Sequence, residues 1–326
     1  MKDRKVWIII DDLDSTFQNT DLECMETSTF FSACRYLTQD LKDIYVRVSM
    51  RSEVWAMIRR YDESLDKMEQ YVDEILWSLM NFRRLLYLRV KTQIDKMPDV
   101  SLPQMPNASQ EQIEEAIIGL VFDQKMIWGR GYFGKKVVPT YQILYTLSYE
   151  RPRWAIQLCK LAQKSALKQG KVIIYRQNID EVWGEYGNKR IADLVAEHKH
   201  QCKGIEELLI SFRGCERLLS KESLFKWINN HVSTHMSVDI EGKVSRNPRE
   251  IAHFLYRIGF ILARSDDASG GYEHYQFNQM PDFLTSRQDS DFNVSWEIHP
   301  CYREALDIVK LNQSHKARFG DLRARK

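Results

Sequence analysis

The chain has 326 residues, enough for more than one folding unit and a substantial buried core. With 44% hydrophobic residues, 11% aromatics and only 14 Gly and 8 Pro, its composition excludes a disordered, fibrous or low-complexity protein and favours helix. A formal net charge of +2 selects neither nucleic acid nor an acidic partner, so any basic surface has to be local.

Six cysteines, Cys24, Cys34, Cys159, Cys202, Cys215 and Cys301, lie far apart without a CxxC pair and read as reduced thiols of a cytoplasmic protein. Lys2, Arg4 and Lys5 precede a short apolar run, Val6–Ile10, that ends in Asp11 and Asp12, too short for a secretory leader. No run of about 18 apolar residues occurs, so no membrane partner is expected.

VWIIIDDLD reads as a strand buried on both faces whose carboxyl end presents acids. A helix over about Glu26–Leu41 and a second strand, Ile44–Met50, complete a parallel βαβ unit ending at Arg51. Ile58, Tyr61, Leu65, Met68, Val72, Ile75, Leu79, Phe82 and Leu86 step by threes and fours and predict one long helix. Residues 1–96 are thus expected to form an α/β core with that helix, and the proline-containing stretch 97–109 a linker.

Residues 110–218 read as all-helical, with helices near Gln110–Phe122, Thr140–Ser148, Pro152–Lys168, Ile179–Tyr186 and Ile191–Phe212. Residues 219–310 follow a winged-helix plan: KESLFKWINNHV, then NPREIAHFLYRIGF with Asn247 as N-cap, Pro248 at the first helical position and Glu250 closing a capping box. A hairpin about SDDASGG and a strand VSWEIHP complete it. Residues 311–326 are a basic tail.

A rigid strand ending in two acids suits magnesium-nucleotide chemistry, because Mg²⁺ prefers one or two carboxylates beside water and phosphate oxygens. Asp11 would hold the metal shell, and Asp12 would orient or deprotonate the attacking water. Alternatively the strand simply ends in a polar turn, with Asp14 and Ser15 as caps.

VWIIIDDLD followed by a helix and IYVRVSMRSEVW resembles the Walker B and sensor segments of P-loop ATPases of the KAP and STAND class. YERPRWAIQLCKLA resembles their second sensor helix, and DKMEQYVDEILWSLMNFRRLLYLRV and WEIHPCYREAL resemble further segments of a bacterial group of them. The resemblance implies a partial parallel P-loop sheet, a helical lid and a C-terminal winged helix, with ATP and Mg²⁺ as cofactors. It places Asp11 at the metal, Asp12 and Arg51 in catalysis, and Arg153 at the nucleotide. It also implies a nucleotide-dependent switch in a regulatory or anti-phage defence setting, with a protein partner or self-association.

Two departures qualify it. Ser15 stands where such proteins usually carry arginine, and no GxxxxGK[ST] precedes Asp11. GRGYFGKK at 129–136 lacks the Ser or Thr and runs into VVP, and it reads as a basic surface loop. The absent element has three explanations: a start at an internal Met, a loop supplied by another polypeptide, or lost nucleotide binding. A bare edge on the second strand favours the first. The competing function is a non-enzymatic winged-helix regulator or scaffold with a decayed α/β remnant.

Other constellations are weak. His198 and Cys202 share a helix face but lack two further zinc ligands, and His231, His235 and His299 read as exposed or turn residues. DNA contact would rest on Arg246, Arg249, His253 and Arg257, against an acidic hairpin tip.

Overall fold

The computed structural model describes residues 5–97, 101–131, 134–266, 271–285 and 293–308. They form a mixed α/β structure, about half helical, with four small sheets. Strand β1 (Val6–Ile10) and strand β2 (Ile44–Val48) pair in parallel, Val6 opposite Ile44 and Ile10 opposite Val48, joined by helix α1 (Asp21–Asp40). Thr20 and Glu23 start α1 with a reciprocal capping box. The βαβ unit is therefore present. Its first strand is not covered on both faces: Trp7 is 55% and Ile9 76% exposed. Among the described residues β1 pairs only with β2, and α1 lies against β2 and the next helix.

The long helix expected from Ile58 to Leu86 is three segments. Helix α2 (Ser52–Tyr61) stops at Asp62, whose carboxylate accepts from Ser64 N–H at 2.8 Å and turns the chain into a 3₁₀ stretch, Glu63–Tyr71. Residues 72–78 have no regular structure, and helix α3 (Leu79–Ile94) restarts where the Ser78 hydroxyl accepts from Asn81 N–H. The threes-and-fours rhythm persisted across this break because its residues serve two cores. Ile58 and Leu65 join Phe17, Cys24, Phe31 and Val54 in a small one, while Phe82 and Leu86 enter the large one. Ile75, between them, is 89% exposed.

Helix α4 (Gln110–Ile118) begins at Ser109 with a capping box to Gln112, after an irregular stretch over the described part of the expected linker. Buried Arg83 of α3 bonds buried Glu114 of α4 at 2.9 Å and fixes their pairing. Strands β3 (Lys125–Gly131) and β4 (Gly134–Pro139) are antiparallel. Of GRGYFGKK, residues 129–131 end β3 and 134–136 begin β4, so the stretch leads into a strand, unlike a phosphate cradle, which leads into a helix; residues 132–133 lie outside the described residues.

Helices α5 (Thr140–Leu147) and α6 (Pro152–Lys168) follow as expected. Helix α7 (Arg176–His198) runs through Gly187, where two helices had been expected to part. Gly187 is mid-helix because a Cβ there would meet the Cys301 carbonyl oxygen at 2.8 Å and the Ala305 Cβ at 2.9 Å. The expected continuation to Phe212 is broken instead by strand β5 (Cys202–Lys203) and by Gly204 at φ +80° before helix α8 (Ile205–Ile210).

In the C-terminal region, strand β6 (Leu218–Leu219) precedes helix α9 (Lys221–Ile228), strands β7 (Val238–Ile240) and β8 (Lys243–Ser245), and helix α10 (Pro248–Arg257). Asn247 caps α10 through Arg249 N–H, as expected, but Glu250 bonds the Ser245 hydroxyl and the Asn247 amide rather than closing a box on the N-cap N–H. Strand β9 (Ile261–Asp266) pairs antiparallel with β10 (Tyr272–Tyr275), and β11 (Val294–Ile298) pairs with β9 and β6, giving the order β10-β9-β11-β6. The hairpin is as expected; its tip, and the basic tail, lie outside the described residues.

Arg257 is not a phosphate contact. It is buried and ion-paired with Glu241, on a helix that also buries Ile251, Ala252, Phe254, Leu255 and Tyr256. A helix packed on that many sides has little surface left for a groove.

Candidate functional site

In an open parallel sheet, ligands bind outside the carboxyl ends of the strands. Here those ends carry Asp11, Asp12 and Asp14 after β1 and Ser49 and Arg51 after β2. Asp11 and Asp12 are both exposed, and Asp12 has a left-handed φ of +56°. The Ser49 hydroxyl donates to Asp11 Oδ1, and Ser49 N–H donates to the Ile10 carbonyl at 2.9 Å. Parallel pairing in register sets Asp11 beside Ser49, so an exposed carboxylate stands beside a hydroxyl. That pair fits one Mg²⁺ carboxylate contact with water filling the rest.

Arg51 is not free to reach a phosphate. Its Nε donates to Asp14 Oδ2 at 2.6 Å, its Nη2 to the Asp14 carbonyl at 3.0 Å, and its backbone N–H to Asp14 Oδ2 at 3.2 Å. Asp14, only 5% exposed, is the buried acid of the group and not merely a cap. Arg51 Nη1 then faces Glu53 at 3.5 Å and Glu197 at 3.8 Å, and Arg151 Nη1 bonds Glu197 at 3.0 Å. A chain of alternating charge, Asp14–Arg51–Glu197–Arg151, runs from the strand ends to the last turn of α7 and the start of α6.

A cavity of about 410 Å³ opens beside this chain, lined by Ser52 and Glu53 of α2, Trp77, Tyr149 to Trp154, His198, Arg257, Gly259 and Phe277 among others. Arg153, the residue expected at the nucleotide, is exposed on its wall. The arginine tied into the charge chain is its neighbour Arg151. Tyr149 and Glu150 precede it with φ of +52° and +60°. Two successive left-handed non-glycine residues are costly and persist only where their surroundings over-determine them. The Tyr149 ring packs against His299 in a tilted arrangement, ring centroids 4.4 Å apart, and its hydroxyl occupies the place a Cβ of Gly259 would take. Such strain concentrates at ligand sites.

Electrostatics follow burial and pairing. Burial, reinforced by Glu197, pushes the Glu53 carboxyl up despite Arg51. Burial alone would also raise Glu197, but Arg151, His198 and Arg51 outweigh it and hold it below the usual carboxylate range. Burial lowers His198 to about 4, so the ring is neutral at pH 7. Cys202, once considered with His198, lies in β5, where burial pushes its thiol up to about 12. Asp11 and Asp12 therefore stand at the strand ends, Arg51 in the charge chain and Arg153 on the cavity wall. Ser49, Glu53, Arg151 and Glu197 went unmarked in the sequence, although Ser49 ends the second strand and Arg151 stands in YERPRW.

Residues 109–195 match the family model of the FunZ-associated C-terminal helical domain. The match spans α4 to most of α7 and so includes Arg151 and Arg153 on the cavity. No curated protein and no solved structure matches the chain.

Proposed function

We propose that the chain carries the acid-bearing strand ends and the helical lid of a P-loop ATPase of the KAP/STAND type, and acts as a nucleotide-dependent switch in a regulatory or defence setting. The observation that carries this reading is the Ser49–Asp11 hydrogen bond across two parallel strand ends, followed by the charge chain Asp14–Arg51–Glu197–Arg151, which leads to a cavity wall that Arg153 shares. Asp11 would hold Mg²⁺ and Asp12 would orient water; bound ATP would supply the phosphoryl group and Mg²⁺ the charge that neutralises it. Ser49, rather than Arg51, would sense the γ-phosphate side of the site. Arg51 instead positions the Asp14 turn and, through Glu197, ties the strand ends to the helical region. The FunZ-associated match is compatible with a defence or regulatory setting.

Among the described residues no strand–GxxxxGK[ST]–helix cradle is found, so the phosphates would need backbone from outside them. The chain by itself is accordingly expected to bind Mg-ATP weakly. Calorimetric titration tests this: micromolar affinity at one site per chain would contradict it. The alternative, a non-enzymatic regulator or scaffold, draws on the exposed apolar β1 as a surface for a protein partner or a second copy. It predicts that substitution at Asp11 or Ser49 leaves function in the cell untouched. DNA contact would fall to Arg246 and Arg249 alone, a weak footprint.

A further inference from the structure

Glu53, Glu197 and His198 each bring one donor atom to within 4.8 Å of the others. Glu53 stands in the first turn of α2, and Glu197 and His198 end α7, so the set is held by two helix termini. His198 is 2% exposed, and its Nδ1 lies 3.2 Å from the Gln201 side-chain oxygen. An amide oxygen only accepts, so Nδ1 carries the proton and Nε2 keeps its lone pair. Metal-ligating histidines are oriented in this way, one ring nitrogen donating to a carbonyl and the other presented to the ion.

Arginine engages the two carboxylates only in part. Arg151 takes Glu197 Oε2 at 3.0 Å. Arg51 is committed to Asp14 through Nε and Nη2, and its Nη1, at 3.5 and 3.8 Å from Glu53 and Glu197, makes no hydrogen bond. Three carboxylates, Asp14, Glu53 and Glu197, face two guanidinium groups, Arg51 and Arg151, while nearby Arg257 is paired with Glu241. The cluster is thus short of positive charge, and the adjoining cavity gives water access to Glu53 and His198.

We propose that Glu53, Glu197 and His198 bind a divalent transition-metal ion, with water from the cavity completing its shell. An imidazole with two carboxylates suits Zn²⁺ or Mn²⁺ better than Ca²⁺ or Mg²⁺, which take oxygen almost alone. Donors on one such ion stand about 3 to 4 Å apart, so donor atoms now within 4.8 Å close by about 1 to 2 Å. The site is separate from Asp11 and does not depend on the nucleotide reading.

The test uses the full chain, stripped with a chelator and kept reduced by a non-thiol reductant. MnCl₂ is titrated with the free ion followed by electron paramagnetic resonance, and ZnCl₂ by calorimetry; Mn²⁺ guards against binding by cysteines, to which it has little affinity. One ion per chain is expected, weakened at least about tenfold by Glu53→Gln and by His198→Gln, and unchanged in the control His231→Gln. Glu53→Gln is isosteric and lies at the helix end, so it carries the test if His198→Gln does not fold. Absence of stoichiometric binding of either ion below millimolar concentration would overturn the proposal. So would equal affinity in Glu53→Gln, or loss of binding in Asp11→Asn alone, which would move the ion to the strand ends.

Discussion

Arg51→Ala tests whether the arginine after β2 is a structural clasp. Asp14 is 5% exposed, and Arg51 supplies it with two side-chain bonds, at 2.6 Å to the carboxylate and 3.0 Å to the carbonyl. Removing one partner of a fully buried pair costs about 3–5 kcal/mol, because the remaining charge is stranded. The Arg51 side chain is 22% exposed, so water can follow its removal, and its backbone N–H still reaches Asp14 at 3.2 Å. A loss of roughly 2–3 kcal/mol is therefore expected in the small core of Phe17, Phe31, Val54, Ile58 and Leu65. The assay is urea denaturation joined to amide exchange in α1 and α2, which reports opening of that core separately. Asp14→Ala should cost about as much, and the double variant should cost less than the two together by over about 1 kcal/mol, since the stranded charge is then gone. Additive effects, or a loss below about 0.5 kcal/mol for Arg51→Ala, would refute the clasp and return Arg51 to the role of a free sensor.

Glu297, 2% exposed, accepts from Arg303 and His274 at 2.7 Å each and faces Arg217 at 3.2 Å; burial would raise its carboxyl, but the Arg303 and Arg217 guanidiniums and the His274 hydrogen bond hold it well below the usual range. Glu297→Gln should lose about 3–5 kcal/mol in urea denaturation, and a loss under about 1 kcal/mol would show that the cations find other partners. Burial, aided by Arg257 and Arg60, lowers His253 from 6.5 to about 4. Between those values the unfolded chain holds a proton on His253 that the folded chain lacks, so the stability this residue contributes should fall as pH drops from 6.5 to 4 and level off below, by at most about 3 kcal/mol, and His198, lowered alike, adds to the same slope. His253→Leu should flatten that slope in urea titrations at several pH values, and an unchanged slope would contradict the assignment. Gly187→Ala should destabilise by about 1–2 kcal/mol, the clash with Cys301 and Ala305 outweighing the helix propensity gained, and a more stable variant would show that the contact yields.

Local signals were legible where one physical rule acted alone. The apolar run ending in acids and the β-branched Ile44–Val48 declared a parallel pair, and Asn247-Pro248 declared the start of α10. The reading failed where tertiary contact overrode pattern. The stripe from Ile58 to Leu86 looked continuous because two cores recruit it in turn, and only Asp62 and Ser78, both cap formers, hinted at the break. Gly187 looked like a terminus because close approach by Cys301 is invisible in one dimension. The candidate site was half visible for the same reason. Asp11 and Arg153 could be marked by position, but the union of Glu53 with Glu197 and His198 spans more than 140 residues of chain and follows from packing alone.

The central claim, that the Asp11–Ser49 strand ends serve a nucleotide, is tested most directly by ATP hydrolysis in the protein as its gene encodes it. The account predicts turnover with Mg²⁺, abolition of turnover in Asp11→Asn with the fold intact, and a larger effect of Ser49→Ala on hydrolysis than on binding. Turnover that survives Asp11→Asn, or no Mg²⁺-dependent turnover at all, would contradict it.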